Sequence, residues 1–229
     1  MAESEPVARR LSADTPSPVV LVEGAVDSFD GARRAQSAPV HRIELCGPLH
    51  EGGTTPSAGL IARCAEKLLV SVNVLVRPRA GNFVYSDDEL EIMKRDIVLA
   101  KELGVDGFAF GALTAEGDVD AAHMAELIAL ATPLRVVFHR AFDTVRDQDE
   151  ALELLVSLQV NGLLTAGAAK TAEAGVDRIR HLVERADRRI RVIAAGGIRR
   201  ENVRQVVDAT GVSAVHGRAF EGLAAALAE

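Results

Sequence analysis

Along this chain, short runs of strand-forming residues alternate with longer stretches whose apolar positions recur every three or four residues. The runs are "VVLVEGAV" (19–26), "HRIELC" (41–46), "LLVSVNVLVRP" (68–78), "GFAFGAL" (107–113), "RVVFHRAF" (135–142), "GLLTAG" (162–167), "RVIAAGG" (191–197) and "SAVHGRAF" (213–220). They return at about the length of one strand–helix–strand unit, roughly 30 residues. The intervening stretches carry helix starts. Ser86 stands three residues before Glu89, a capping-box spacing, and Leu90, Met93, Ile97 and Ala100 follow at helical intervals. Asp120 precedes "AAHMAELIALA", and Asp147 and Glu150 precede "ALELLVSL". Ile179, Leu182, Val183 and Ala186 form a further stripe, and Val203, Val206 and Val207 a shorter one.

Alternation of this kind predicts a parallel sheet covered by helices. Eight repeats predict its closure into an α/β, (β/α)8 TIM barrel over 19–229, with a reduced last helix after the eighth strand. An open doubly wound sheet is the alternative, but no G-x-G-x-x-G follows the first strand. Residues 1–18, "MAESEPVARRLSADTPSP", are rich in Pro, Ser and charge and read as a flexible tail.

In a barrel, alternate strand residues point to the axis and the rest to the helices. If Val72, Val74 and Val76 face the helices, then Ser71, Asn73, Leu75 and Arg77 point inward. The same phase turns Glu23 and Ala25 inward on the first strand and Glu44 and Cys46 on the second. It turns Val137 and His139 inward on the fifth, Thr165 on the sixth and His216 on the eighth. The polar members gather toward the C-terminal strand ends, where barrels of this class build their sites. A single inward Glu could equally be a buried structural group paired with Arg77, since a buried carboxylate is costly unless paired.

Composition narrows the setting. Apolar residues make up 48% of 229, with no Trp and one Tyr, which predicts a mainly aliphatic core. The net charge of −7 argues against a nucleic-acid partner. No apolar run reaches the length of a membrane span, and the N-terminus shows no secretory h-region. Two cysteines, Cys46 and Cys64, make no disulfide framework, and a reduced cytoplasmic setting is the simplest expectation.

The stretches "AVDSFDGA", "HRIELCGPLHEGGTTPSAG", "VLVRPRAGNFVYSDDELEIMKRDI", "GVDGFAFGALTAEGDVD", "FHRAFD", "LLTAG", "RVIAAGGI" and "VHGRA" together resemble the CutC copper-homeostasis family. The resemblance covers nearly everything after the tail. It implies a (β/α)8 barrel, a cytoplasmic homodimer, and a role in binding or trafficking copper, with copper(I) as the ion. Copper(I) prefers soft thiolate or thioether ligands. Similar proteins often carry a cysteine in the first strand facing the cysteine of I-E-L-C; here that position is Ala25. Cys46 is then the one strand thiol, and His139, His216 or a partner subunit would complete the metal ligands. Cys64, Met93 and Met124 sit at helix-core spacing and read as packing residues.

An enzyme is the alternative reading: an isomerase, lyase or hydrolase acting on a small anionic or carbohydrate-like molecule. Glu23 and Glu44 are candidate acid and base if their environments split their pKa values, and His139 could share that work near neutral pH. Arg77 and Arg79 would clamp an anion. Asn73, Arg140, Thr165 and His216 are further candidate binding residues, and Asp143 either orients Arg140 or caps the next helix. Gly196 and Gly197 follow the seventh strand where such barrels bind phosphate on backbone N–H groups, or simply form a tight turn. A hard divalent ion on Glu23, Glu44 and His139 or His216 is also compatible with these donors. "GPLHEGGTTPSAG" is a Gly-rich loop able to close over the mouth, but it lacks the P-loop Lys, so no nucleotide cofactor is expected.

Overall fold

A computed structural model of the chain describes residues 20–228; the predicted tail over 1–18 lies outside the described residues. Eight parallel strands pair in sequence order and close on themselves. They are β1 (Leu21–Val26), β2 (Arg42–Leu45), β3 (Ser71–Leu75), β4 (Gly107–Phe110), β5 (Arg135–Phe138), β6 (Gly162–Thr165), β7 (Arg191–Ala195) and β8 (Ala214–Gly217). Closure is made by β1 against β8, with Leu21 opposite Ala214 and Gly24 opposite Gly217. The expected (β/α)8 barrel is therefore present.

Each strand is followed by a helix: α1 (Phe29–Ser37), α2 (Ala58–Lys67), α3 (Asp87–Glu102), α4 (Ala121–Ala131), α5 (Gln148–Ser157), α6 (Val176–Ala186), α7 (Val203–Thr210) and α8 (Leu223–Ala228). The capping residues do what their chemistry dictates. Ser86 and Glu89 form a reciprocal capping box on α3, Asp120 accepts from the His123 N–H on α4, and Asp147 accepts from the Asp149 and Glu150 N–H groups on α5. Each such cap satisfies a backbone donor that the first helical turn leaves orphaned. The last helix is short, six residues.

The apolar residues divide into two layers by strand phase. Val22, Ile43, Val72, Val74, Phe108, Val136, Leu163 and Val215 pack outward against the helices. Cys46, Leu75, Ala109, Val137, Leu164, Ile193, Ala195 and Ala214 fill the barrel. The core is less purely aliphatic than composition implied. Phe108, Phe110, Phe138 and Phe142 are fully buried, so four of the seven phenylalanines concentrate where β4 and β5 meet their helices.

One expectation fails here. Leu164, not Thr165, is the inward residue of β6; Thr165 is fully buried away from the axis and donates to Asp143 Oδ1 at 2.6 Å. The run "GLLT" has apolar residues at two successive positions, so alternation alone could not set its phase.

Gly175, just before α6, packs against the exit of β6. A Cβ there would lie 1.9 Å from the Ala166 carbonyl oxygen, which is backbone and cannot swing aside. Gly175→Ala should destabilise the chain by about 2–3 kcal/mol through overpacking. Gly59→Ala, inside α2 with nothing within 4 Å, should stabilise it by about 0.5–1 kcal/mol. Urea unfolding of both variants reads the contrast directly.

Candidate functional site at the mouth of the barrel

The site begins with a buried carboxylate. Glu23 on β1 is 2% exposed. One of its oxygens accepts from the Arg42 Nε on β2, the other lies 2.7 Å from His216 Nδ1 on β8, and Asn73 Nδ2 on β3 donates at 3.4 Å. Three strands thus bring partners to one acid. Burial by itself would raise the Glu23 carboxyl, but Arg42 and then His216 outweigh it and hold it at about 2. His216 responds in the opposite sense. Burial would lower it, yet Glu44 and Glu23 push it above its ordinary value.

With Nδ1 turned to Glu23, the Nε2 of His216 faces Glu44 Oε2 at 3.7 Å. The same oxygen lies 3.5 Å from the Cys46 thiol two residues further along β2. Burial raises the Glu44 carboxyl, only partly opposed by His216. Burial, reinforced by Glu44, raises the Cys46 thiol well above the ordinary cysteine value. One ligand atom each from Glu23, Glu44 and His216 lies within 4.8 Å of the others. Such a group can hold a cation, or pass a proton between two carboxylates with opposite pKa shifts.

This cluster forms the floor of a cavity of about 760 Å³ at the C-terminal end of the barrel. Ala25, Glu44, Cys46 and His216 line it from below, and Arg77, His139, Arg140, Asp143, Gly196 and Gly197 are also in its wall. Glu23 and Asn73 lie beneath the lining. Asn73 fits because Gly107 opposite has no Cβ; one would sit 2.5 Å from Asn73 Oδ1.

His139 is in the wall but away from the floor cluster. Its ring packs against Phe83 at 4.8 Å, and its Nδ1 accepts from the Ala141 N–H. Burial, followed by the Arg77 charge, lowers its pKa to about 3. It is a neutral imidazole at physiological pH, not the near-neutral acid–base group expected from its type. Nor is it within the three-residue group that could hold a cation, where the imidazole is His216.

The two arginines of "RPR" divide. Arg77 lines the cavity, but its guanidinium donates to the carbonyls of Gly53 (2.9 Å) and Gly81 (2.8 Å) and lies over Phe83. It fastens the loops after β2 and β3 around the mouth. Arg79 is outside the lining: it pairs with Glu89, donates to the Asn82 and Val84 carbonyls, and stacks on Tyr85. The expected two-arginine clamp is not formed, because Glu89 in the first turn of α3 and the Asn82 and Val84 carbonyls hold the Arg79 guanidinium outside the cavity. Asp143 accepts from Arg140, Thr165 and the Ala166 and Ala168 N–H groups. It orients Arg140 and ties β5 to β6, while Asp147 takes the α5 cap. Gly196 and Gly197 have φ of +94° and +70°, so the turn there is one glycine alone makes without strain.

Sequence reasoning missed Arg42, although the phase that turns Glu44 inward turns Arg42 inward too. It also missed Phe83, Lys170 and Arg218, which sit on loops where no periodicity announces a direction.

Fold and cavity together define a class: a (β/α)8 barrel with a deep cavity lined by ionisable groups at the C-terminal mouth. The model of the CutC family matches residues 20–221, so the chain belongs to the CutC family. It is 44% identical over 196 residues to the human copper homeostasis protein cutC homolog, covering 86% of this chain and 72% of that one. A CutC family protein from Glaesserella parasuis is 40% identical, covering 85% and 80%. A crystal structure of CutC from Streptococcus agalactiae superposes with a TM-score of 0.85 at 36% identity, covering 88% and 99%.

The shift at Glu23 has a stability consequence. A carboxyl held below its ordinary 4.5 contributes stability that is complete above that pH and is lost as pH falls toward 2. Glu23→Gln would take from Arg42 its buried ion-pair partner and leave His216 with Glu44 alone, and should cost about 3–5 kcal/mol at neutral pH. The gap between wild type and variant in urea unfolding should narrow between pH 4.5 and 2.

Proposed function

We propose that this chain handles copper as cargo, in keeping with the names of its curated relatives, and that the ion sits on the floor of the mouth. Cys46, Glu44 and His216 would hold it. The observation that carries this reading is the single Glu44 oxygen lying 3.5 Å from the Cys46 sulfur and 3.7 Å from His216 Nε2. Donors bound to one ion at about 2.0–2.3 Å stand at separations of this order.

Glu23 fits an outer role. A metal-bound imidazole commonly gives its other nitrogen to a carboxylate, which fixes the tautomer and the ring orientation, and Glu23 stands in that relation to His216 Nδ1. The donor set does not fit a two-thiolate copper(I) site. Cys64 is buried between α2 and the sheet, and Met93 and Met124 are buried in the helical layer. One thiol, one imidazole and a carboxylate make a mixed site, which accommodates copper(I) through sulfur and nitrogen and a divalent ion through nitrogen and oxygen.

The family resemblance further implies a cytoplasmic homodimer, in which Cys46 and Cys64 stay reduced. No helix among the described residues is long and apolar enough to cross a membrane.

Both the raised thiol and the raised imidazole must give up protons to bind a metal. Copper(I) affinity should therefore climb as pH rises above the ordinary imidazole value of 6.5 and keep climbing through the neutral range, with protons released on binding. In competition titrations under reducing conditions, Cys46→Ala and His216→Ala should each weaken binding by at least about tenfold, and Glu23→Gln by about 10–100-fold. Affinity unchanged in Cys46→Ala and His216→Ala would remove the floor as the copper site.

A further inference from the structure

Above the floor the cavity is far larger than one ion needs; its volume of about 760 Å³ lies in the range of small-molecule sites. Its charge also runs against that of the whole protein. The chain carries −7, yet Arg77, Arg140, Lys170, Arg199 and Arg218 line the cavity against Glu44, Glu51 and Asp143. Two of these cations are already answered: Arg140 by Asp143 at 2.7 Å, and Arg199 by Glu173 and Glu201, each at 3.7 Å. Lys170 and Arg218 have no ion pair among the described residues. Arg77 donates to carbonyl oxygens rather than to an acid, and its Nε has no partner.

The wall adds a buried donor. His139 is 5% exposed, and since its Nδ1 accepts from the Ala141 N–H, the ring proton of the neutral form is on Nε2. That atom has no partner. A buried N–H without an acceptor is a costly arrangement that native structures seldom keep without a reason. Phe83 packs against the ring on one face, and Gly111 leaves room for it on another: a Cβ there would come within 2.9 Å of Nδ1. The ring is therefore held in place before any ligand arrives. Leu49, Leu75, Phe83 and Leu164 give the same chamber an apolar side suited to a short carbon skeleton.

We infer that this chamber binds a small organic oxyanion, a carboxylate or a phosphate ester, whose charged oxygens meet Lys170 and Arg218 at the rim, beside a wall in which His139 and Arg77 hold unpartnered donors. The inference goes beyond the copper reading and does not rest on it, since neither Cys46 nor the floor carboxylates take part. A neutral imidazole suits such a ligand, because it donates to an oxyanion without carrying a charge that would need its own counterion.

The test uses the full chain dialysed against chelator, titrated calorimetrically at constant ionic strength with glycerol 3-phosphate, succinate and inorganic phosphate. Saturable binding of one organic anion, tighter than inorganic phosphate, is expected, and which of the two binds separates the ester from the carboxylate. At a hundredfold excess over Kd the bound anion should raise Tm by about 5 °C. Lys170→Ala combined with Arg218→Ala alters only exposed side chains and should weaken binding at least about tenfold. His139→Gln, which keeps an N–H donor, should weaken it less than His139→Ala. Two results would overturn the inference: no saturable binding of any probe to the chelator-treated chain, which would leave only a metal on the floor as the anion's partner, or undiminished binding in both the rim variant and His139→Ala.

Discussion

The site depends on one ionised carboxylate kept out of water. A lone buried charge would be prohibitively costly, so Glu23 is tolerable only because Arg42, His216 and Asn73 converge on it from three other strands. The convergence works in both directions. The partners keep Glu23 charged, and Glu23 keeps them oriented. It turns His216 so that Nδ1 points down and Nε2 points toward Glu44 and the cavity. Without it, the imidazole would have no reason to present either nitrogen to the mouth. Barrel closure is a precondition, since His216 and Glu23 meet through the β1–β8 pairing, 193 positions apart in the chain.

A second device holds the walls. Arg77, Phe83 and His139 form a stack in which the guanidinium lies 4.9 Å from the ring centre of Phe83 and Phe83 lies 4.8 Å from His139. The hydrogen bonds from Arg77 to Gly53 and Gly81 bring two loops to the same stack. Loops are ordinarily the mobile part of a barrel; here a buried side chain rising from the end of a strand ties them down. One consequence is electrostatic. Burial, reinforced by the positive charge that Arg77 brings to the wall without an acidic partner, suppresses protonation of His139. The floor and the wall therefore differ in character, with acids and a proton-rich imidazole below, cations and a neutral imidazole above.

In the proposed copper reading the ion is placed at the floor, where a thiol, a carboxylate and an imidazole lie together. Ala25, opposite Glu44 across the β1–β2 pair, offers no ligand where similar proteins often have a thiol. The remaining sulfur, Cys46, is buried beside a carboxylate that discourages its ionisation. A positively charged ion would reverse that environment, because the same carboxylate that opposes a thiolate would favour the ion held beside it. The thiol and the carboxylate are then complementary parts of one site rather than competitors.

The barrel and most of the inward set were legible from the order of residues alone. Repeated strand-and-helix units leave few ways to bury two apolar layers, and a period of two on β1, β2, β3 and β8 assigns Glu23, Glu44, Asn73 and His216 to the axis. Thr165 escaped because "GLLT" carries no alternation to read, and Arg79 because a proline lies between it and the strand. What only the tertiary structure decided was which inward groups meet. The stagger of a closed barrel and the direction of each side chain bring His216, not His139, to the carboxylates. They set Arg77 to holding loops, and they leave Lys170 and Arg218 without counterions among the described residues. Alternation specifies a face; distance and protonation arise only when distant strands are brought together around a shared interior.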